Sequence, residues 1–194
     1  MSVVVTQVQE DAIIMAADIG FSDDSTKWTD RNALKIISHR DIFAKDVLVG
    51  VTGSASHLTV MKAFLRSIYE PIHGDEAGIF KLVSEFVSFS STLGLPTGVE
   101  IDGAFSTFHI VAEGRAWATQ GLFISEITEW DVMGSGDPFA RATMTLGLSP
   151  EESVAMACKH DLYCYGPPVS YTFDRHSNRI IDCAFHDELD CSVV

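Results

Sequence analysis

Apolar residues follow two rhythms along this 194-residue chain, and the switches between them mark its elements. Residues 3–8 (Val-Val-Val-Thr-Gln-Val) and 12–17 (Ala-Ile-Ile-Met-Ala-Ala) are near-continuous apolar runs separated by Glu10-Asp11. They predict a hairpin of two strands in a sheet covered on both faces. Residues 20–30 are polar and rich in turn formers, which predicts a loop, and 33–37 and 46–52 then read as two further strands. After Gly53 the period changes. Leu58, Met61, Phe64, Leu65 and Ile68 recur at steps of three and four behind a serine cap, and Ile79, Leu82, Val83, Phe86 and Val87 do so over 76–91. Both stretches predict amphipathic helices.

Residues 93–103 carry Gly, Pro and Thr and read as a loop. A hairpin is predicted over 104–112 and 115–119, and a short strand over 129–133 leads into Gly134-Ser135-Gly136. Asp137-Pro138 opens a helix that runs through Leu146, since proline is tolerated in a first turn. Ser149-Pro150-Glu151-Glu152 opens another, with a cap and acids at the positive end of the dipole, reaching about Cys164. Residues 169–173 and 179–185 form a last hairpin, and the acidic stretch 187–194 reads as a loosely held tail. Strands, two helices, strands, two helices and strands again fit two packed sheets with helices outside, as a single domain over 1–194.

Composition narrows the function classes. With 46% hydrophobic and 21% charged residues the chain reads as one globular domain with a sizeable core. No apolar run is long enough to span a membrane, and no basic n-region with a cleavage site suggests secretion. The net charge of −14 leaves no basic stripe to release counterions, which argues against nucleic-acid binding. Acids are spread along the chain, 15 to nine bases through Gln120 and 12 to four after it, as expected of a solvated surface; an acidic face for a basic partner is the alternative. Cys158, Cys164, Cys183 and Cys191 form no C-x-x-C pair, which fits a reducing cytoplasm. The seven histidines lack any H-E-x-x-H or comparable ligand spacing, so neither a catalytic metal nor another cofactor is expected.

The candidate chemistry sits at the start of the chain. Removing Met1 would leave Ser2 with a hydroxyl and a free α-amine on one residue, so the nucleophile would carry its own base. Asp18 follows the second strand and Lys35 lies in the third, placed to tune such a site. Taken singly, Asp18 is also a turn-capping acid and Lys35 a solvated edge residue. Gly53, in Val51-Thr52-Gly53-Ser54-Ala55, reads as a tight turn at a helix start. Gly134-Ser135-Gly136 before a helix has the form of an anion site, but lacks the lysine and spacing of a P-loop.

In this order, the motifs resemble those of the proteasome β-subunits and the bacterial HslV-type peptidase, members of the N-terminal-nucleophile hydrolases. The resemblance spans roughly Ser2 to Phe173. It implies an α+β fold, a four-layer αββα sandwich of two antiparallel sheets flanked by helices. It also implies that Ser2 stands where the family's nucleophile, usually threonine, stands, with Asp18 holding Lys35 and orienting the terminus. Gly53 would supply the oxyanion-hole amide, Val51 would contact substrate, and the Ser135 hydroxyl would contact the nucleophile's amine. Asp161 would support the terminus, with Cys164 where the family has a serine. Serine lacks threonine's β-methyl, which stiffens χ1, and Ser54 and His57 replace a second glycine and an acid.

The implied function is a serine peptidase cleaving unfolded polypeptides inside a stacked homo-oligomeric ring, with an unfolding ATPase as a possible partner. The lack of a long extension before Ser2 suits a catalytic rather than a gating subunit. A ring subunit that assembles without cleaving, and an amidase acting on a small molecule, are the alternatives.

Overall fold

The computed structural model describes residues 2–22, 27–29, 34–41, 43–53, 55–94 and 107–189. Five strands form one antiparallel sheet in the order β10-β1-β2-β11-β12: β10 (Trp130–Gly134), β1 (Val3–Val8), β2 (Ala12–Ala17), β11 (Val169–Asp174) and β12 (Arg179–Phe185). The second antiparallel sheet has the order β5-β6-β7-β8-β9: β5 (Ile36–Arg40), β6 (Asp46–Thr52), β7 (Thr107–Ala112), β8 (Arg115–Gln120) and β9 (Phe123–Ile127). Helices α1 (Ala55–Ser67) and α2 (Glu76–Thr92) lie on the second sheet, and α3 (Asp137–Thr145) and α4 (Pro150–His160) on the first. The result is the expected αββα sandwich.

Strand periodicity explains why the central strands read as continuous apolar runs. Successive side chains point to opposite faces. Val3 and Val5 therefore pack outward with Ala140, Met144, Val154 and Ala157 of α3 and α4. Val4 points inward, into the layer between the sheets with Met15, Ile36, Leu48, Val111, Met133 and Phe173. In the second sheet Val49, Val51, Phe108, Ile110 and Trp117 pack outward under Leu58, Phe64, Ile79, Val83 and Phe86. Ser149 closes a full capping box with Glu152, and Asp75 caps α2 through the Gly78 N–H.

Four local expectations need correction. The stretch 20–30 contains a short hairpin, β3 (Gly20–Ser22) with β4 (Lys27–Thr29), whose strands are too short to show a period. Phe123–Ile127 is an edge strand that the sequence pattern did not reveal, because it alternates only weakly and is largely exposed. The third strand starts at Ile36, so Lys35 precedes it, and Ala33 lies outside the described residues. Helix α4 stops at His160 because Asp161 turns extended (φ −93°, ψ 133°), which leaves Cys164 in the following turn. Of the tail, 187–189 form a 3-10 turn and 190–194 lie outside the described residues, as do 104–106.

The two sheets meet closely at Gly50. A Cβ there would lie 2.8 Å from Val4 Cγ1 and 3.0 Å from Met15 Sδ, both in fully buried side chains. Gly50→Ala should therefore overpack this layer and lower unfolding free energy by about 1–3 kcal/mol, read from urea denaturation midpoints.

Candidate active site

Strand β1 begins one residue after Ser2, which is 2% exposed. Beside it Asp18, fully buried, immediately follows the adjacent strand β2. Its Oδ1 accepts the Val3 N–H at 2.9 Å, and its Oδ2 accepts the Lys35 ammonium at 2.6 Å. Oδ2 also receives the Gly20 and Tyr165 N–H groups, at 3.2 and 3.4 Å. Thus one carboxylate ties the residue after Ser2, the β2–β3 turn, the lysine and the loop after α4 together. Such saturation is what a buried anion requires.

Lys35 is 4% exposed, and its ammonium lies 5.3 Å from the centroid of the Phe21 ring. Its backbone carbonyl accepts the Val51 N–H at 2.9 Å, which extends the β5–β6 pairing to the lysine. The ion pair therefore spans the two sheets, with Asp18 at the end of β2 and Lys35 docked on β6.

The loop 134–136 covers the other side of Ser2. Gly134 has φ +104°, and a Cβ there would meet the Ser2 carbonyl oxygen at 2.0 Å, so only glycine fits. The Gly136 N–H and the Ser135 hydroxyl both donate to that carbonyl at 3.4 Å, long hydrogen bonds. Ser135 thus contacts the carbonyl of Ser2, where the resemblance implied contact with its amine. A Cβ on Gly136 would lie 2.9 Å from Val3 Cβ, Ala157 Cβ and Cys164 Sγ, so this turn is packed against both the strand and α4.

No protein-family model matches the sequence, and no curated protein is significantly similar to it. Solved structures do match. A structure of Thiobacillus denitrificans BPH in complex with epoxomicin superposes with a TM-score of 0.77 at 20% identity, covering 89% of this chain and 98% of that one. The helical assembly of the Anbu complex from Pseudomonas aeruginosa gives 0.73 at 12% identity, over 94% and 86% of the two chains. Eukaryotic HslV from Trypanosoma brucei gives 0.66 at 14% identity, over 89% and 99%. The chain has the HslV-type, proteasome-like fold.

Within this proteasome-like fold the remaining candidates divide. Gly53 has φ +101° and links β6 to α1, a conformation that favours glycine, and Ser54 lies outside the described residues. The preceding Thr52 hydroxyl bonds Thr107 at 2.5 Å, which fixes this strand end to β7. The Val51 side chain is buried beneath α1 and α2, so the residue meets the site through its backbone link to Lys35. His57 is buried in α1 with its ring edge toward Phe86, a packed core histidine. Asp161 caps the end of α4 and accepts the Tyr163 N–H at 2.6 Å. Among the described residues no hydrogen bond joins it to Ser2 or Ser135.

Cys164 is buried 3.8 Å from the Ser135 hydroxyl. Burial, followed by the charges of Asp18 and Asp161, pushes its thiol well above the ordinary range, so it stays protonated. It packs against the site and is no independent nucleophile. The backbone of Tyr165 and of Gly20 as partners of Asp18 was not foreseen. The short Asp18-Ile19-Gly20 spacing is a sequence signal for Gly20, and none points to Tyr165.

Two outcomes follow from this geometry. Asp18→Asn leaves a buried ammonium without its counter-charge and should cost about 3–5 kcal/mol in unfolding free energy by urea titration. Alkylation of the native protein at neutral pH, mapped by peptide mass, should label the exposed Cys183 and spare Cys164.

Proposed function

We propose that this chain is an N-terminal serine peptidase that cleaves unfolded polypeptides, with Ser2 as nucleophile once Met1 is removed. The observation that carries the reading is the buried Lys35–Asp18 pair, 2.6 Å apart, whose carboxylate also holds the N–H of Val3, the residue after Ser2. A buried charge pair against a strand end is costly to maintain, and function at that end accounts for it. The free Ser2 amine would take the proton of its own hydroxyl as Oγ attacks the scissile carbonyl carbon. The resulting oxyanion would be stabilised by a backbone N–H at Gly53.

Collapse of the tetrahedral species breaks the C–N bond, and the ammonium returns its proton to the leaving amine. Water, deprotonated by the same amine, then cleaves the Ser2 ester and frees the acid. The Lys35 charge disfavours a second cation nearby and so keeps the amine available as a base. Exposed apolar side chains at Leu146, Leu162 and Phe123 give surface for subunit contacts. An assembled Anbu complex among the structural neighbours favours a homo-oligomer. We place the enzyme in a cytoplasmic ring fed by an unfolding ATPase.

A second reading has an observation of its own. Ser135 is engaged with the Ser2 carbonyl and with Cys164, a weak hydrogen-bonding partner where the family has serine. That thinner support fits a subunit that assembles without cleaving.

Intact mass of the native protein separates the two, measured before and after a peptide epoxyketone or β-lactone. The peptidase should be lighter than the full chain by one methionine and take one adduct, and Ser2→Ala should take none. Retained Met1 with no adduct overturns the peptidase reading.

A further inference from the structure

Besides the Asp18–Lys35 pair, a second polar tie crosses the largely apolar layer between the sheets. His109, in β7 of the second sheet, is 1% exposed and points across to the first. Its Nδ1 lies 2.8 Å from the Thr6 hydroxyl and its Nε2 lies 3.2 Å from Asp131 Oδ2. Thr6 and Asp131 face each other on the paired strands β1 and β10. One imidazole therefore clasps both strands at a single register position. With Nε2 protonated, the ring donates to Asp131 and accepts from Thr6, and every polar atom in the bridge is satisfied.

Asp131 is fixed in turn. Arg141 of α3 donates to Asp131 Oδ1 at 3.1 Å, to the Val132 carbonyl at 3.0 Å, and to both oxygens of Asp137 at 2.6 and 3.0 Å. Burial pushes the Asp131 carboxyl up, but His109, Arg141 and a backbone N–H outweigh it and hold the group at about 2. The acceptor thus stays anionic across the working pH range. Arg141, Asp131, Asp137 and His109 line a cavity of about 320 Å³ that Gly134 also lines. The bridge and the wall packed on the Ser2 carbonyl therefore share one space.

The position of this bridge matters because the candidate chemistry is divided between the sheets. Ser2 immediately precedes β1 and stands two two-residue steps before Thr6, in line with Val4 and Thr6 of that strand. Gly134 and Ser135 follow Asp131 at the end of β10, whereas Thr52–Gly53 belong to the second sheet, on the neighbour of His109's strand. Apolar packing between sheets is non-directional, whereas hydrogen bonds to a histidine fix distance and angle. We infer that His109 is a positioning residue, which sets the placement of Ser2 and the Gly134–Gly136 turn relative to Gly53 by clasping Thr6 and Asp131 across the sheet interface. The inference rests on the peptidase reading for its catalytic meaning, and its test has an arm independent of it.

The test compares wild type, His109→Leu, His109→Gln and Thr6→Val in the full chain. One arm is the rate of epoxyketone modification of Ser2 by intact mass, and the other is backbone hydrogen exchange read by mass spectrometry. His109→Leu should lower the limiting modification rate by about tenfold or more, with the half-saturating concentration unchanged within about twofold. Exchange over 2–5 and 133–136 should rise while 169–185 stays as in wild type. His109→Gln, whose amide can accept from Thr6 and donate to Asp131, should restore most of both readouts. Thr6→Val, which removes one arm of the bridge, should fall between.

A His109→Leu protein that melts lower yet keeps the wild-type rate and exchange pattern makes His109 a core stabiliser only and overturns the inference. A loss that glutamine fails to restore assigns the effect to ring volume and overturns it too. If wild type takes no adduct, the peptidase reading fails, and the exchange arm alone decides. Faster exchange at both segments then upholds the positioning role, and unchanged exchange ends it.

Discussion

The buried ion pair between Lys35 and Asp18 is the interaction on which the rest of the candidate site depends. Two charges removed from water lose hydration that only close contact and further hydrogen bonds offset. Asp18 meets that demand with backbone N–H groups from Val3, Gly20 and Tyr165, three separate segments of chain. Each donor is therefore held in place by the anion's need for it. The start of β1, the β2–β3 turn and the loop after α4 are fixed to one point because a carboxylate there cannot be left unsatisfied. The same pair is one of the polar ties between the sheets, so local electrostatics and global packing are set together.

Around this anchor the backbone approaches more closely than side chains would permit. Gly134 lies against the Ser2 carbonyl, Gly136 fits between β1 and α4, and Gly50 lets the sheets close over Val4 and Met15. In Gly134 the positive φ and the 2.0 Å clearance act at the same residue, so conformation and space exclude a side chain independently. Cys164 fills the remaining gap beside Gly136 as a neutral, polarizable group. Where a serine would add a hydrogen bond, this thiol adds mainly volume.

Much of this was legible in the residues. The apolar runs at 3–8 and 12–17 and the three- and four-residue steps over 58–68 and 76–91 carry strong periods, and the elements they predicted formed. Short or half-exposed strands, Gly20–Ser22, Lys27–Thr29 and Phe123–Ile127, carry too few positions to show one. The Asp18–Lys35 pairing is what the family resemblance implies, and the contact itself is in place. The Thr6–His109–Asp131 bridge was not legible. Its three members are 103 and 22 residues apart along the chain, and a lone histidine in an apolar strand says nothing of what faces it. Register between two sheets is a tertiary property that a linear pattern does not encode.

That last point bears on how the two sheets find one relative placement. The apolar layer of Val4, Met15, Leu48, Val111 and Met133 rewards contact and is close-packed at Gly50, but its attraction has no preferred direction. A bridge with fixed hydrogen-bond lengths adds a specific register, since a slide along β7 would take the His109 ring away from Thr6 and leave Asp131 with Arg141 alone. The ion pair at one point and the histidine bridge at another constrain translation and rotation of one sheet on the other. Ser2 and Gly53 lie at the ends of strands in opposite sheets, so the distance between the proposed nucleophile and the proposed oxyanion donor is a matter of how the sheets dock. In this fold the polar minority of the inter-sheet layer carries the positional information, while the apolar majority supplies the cohesion.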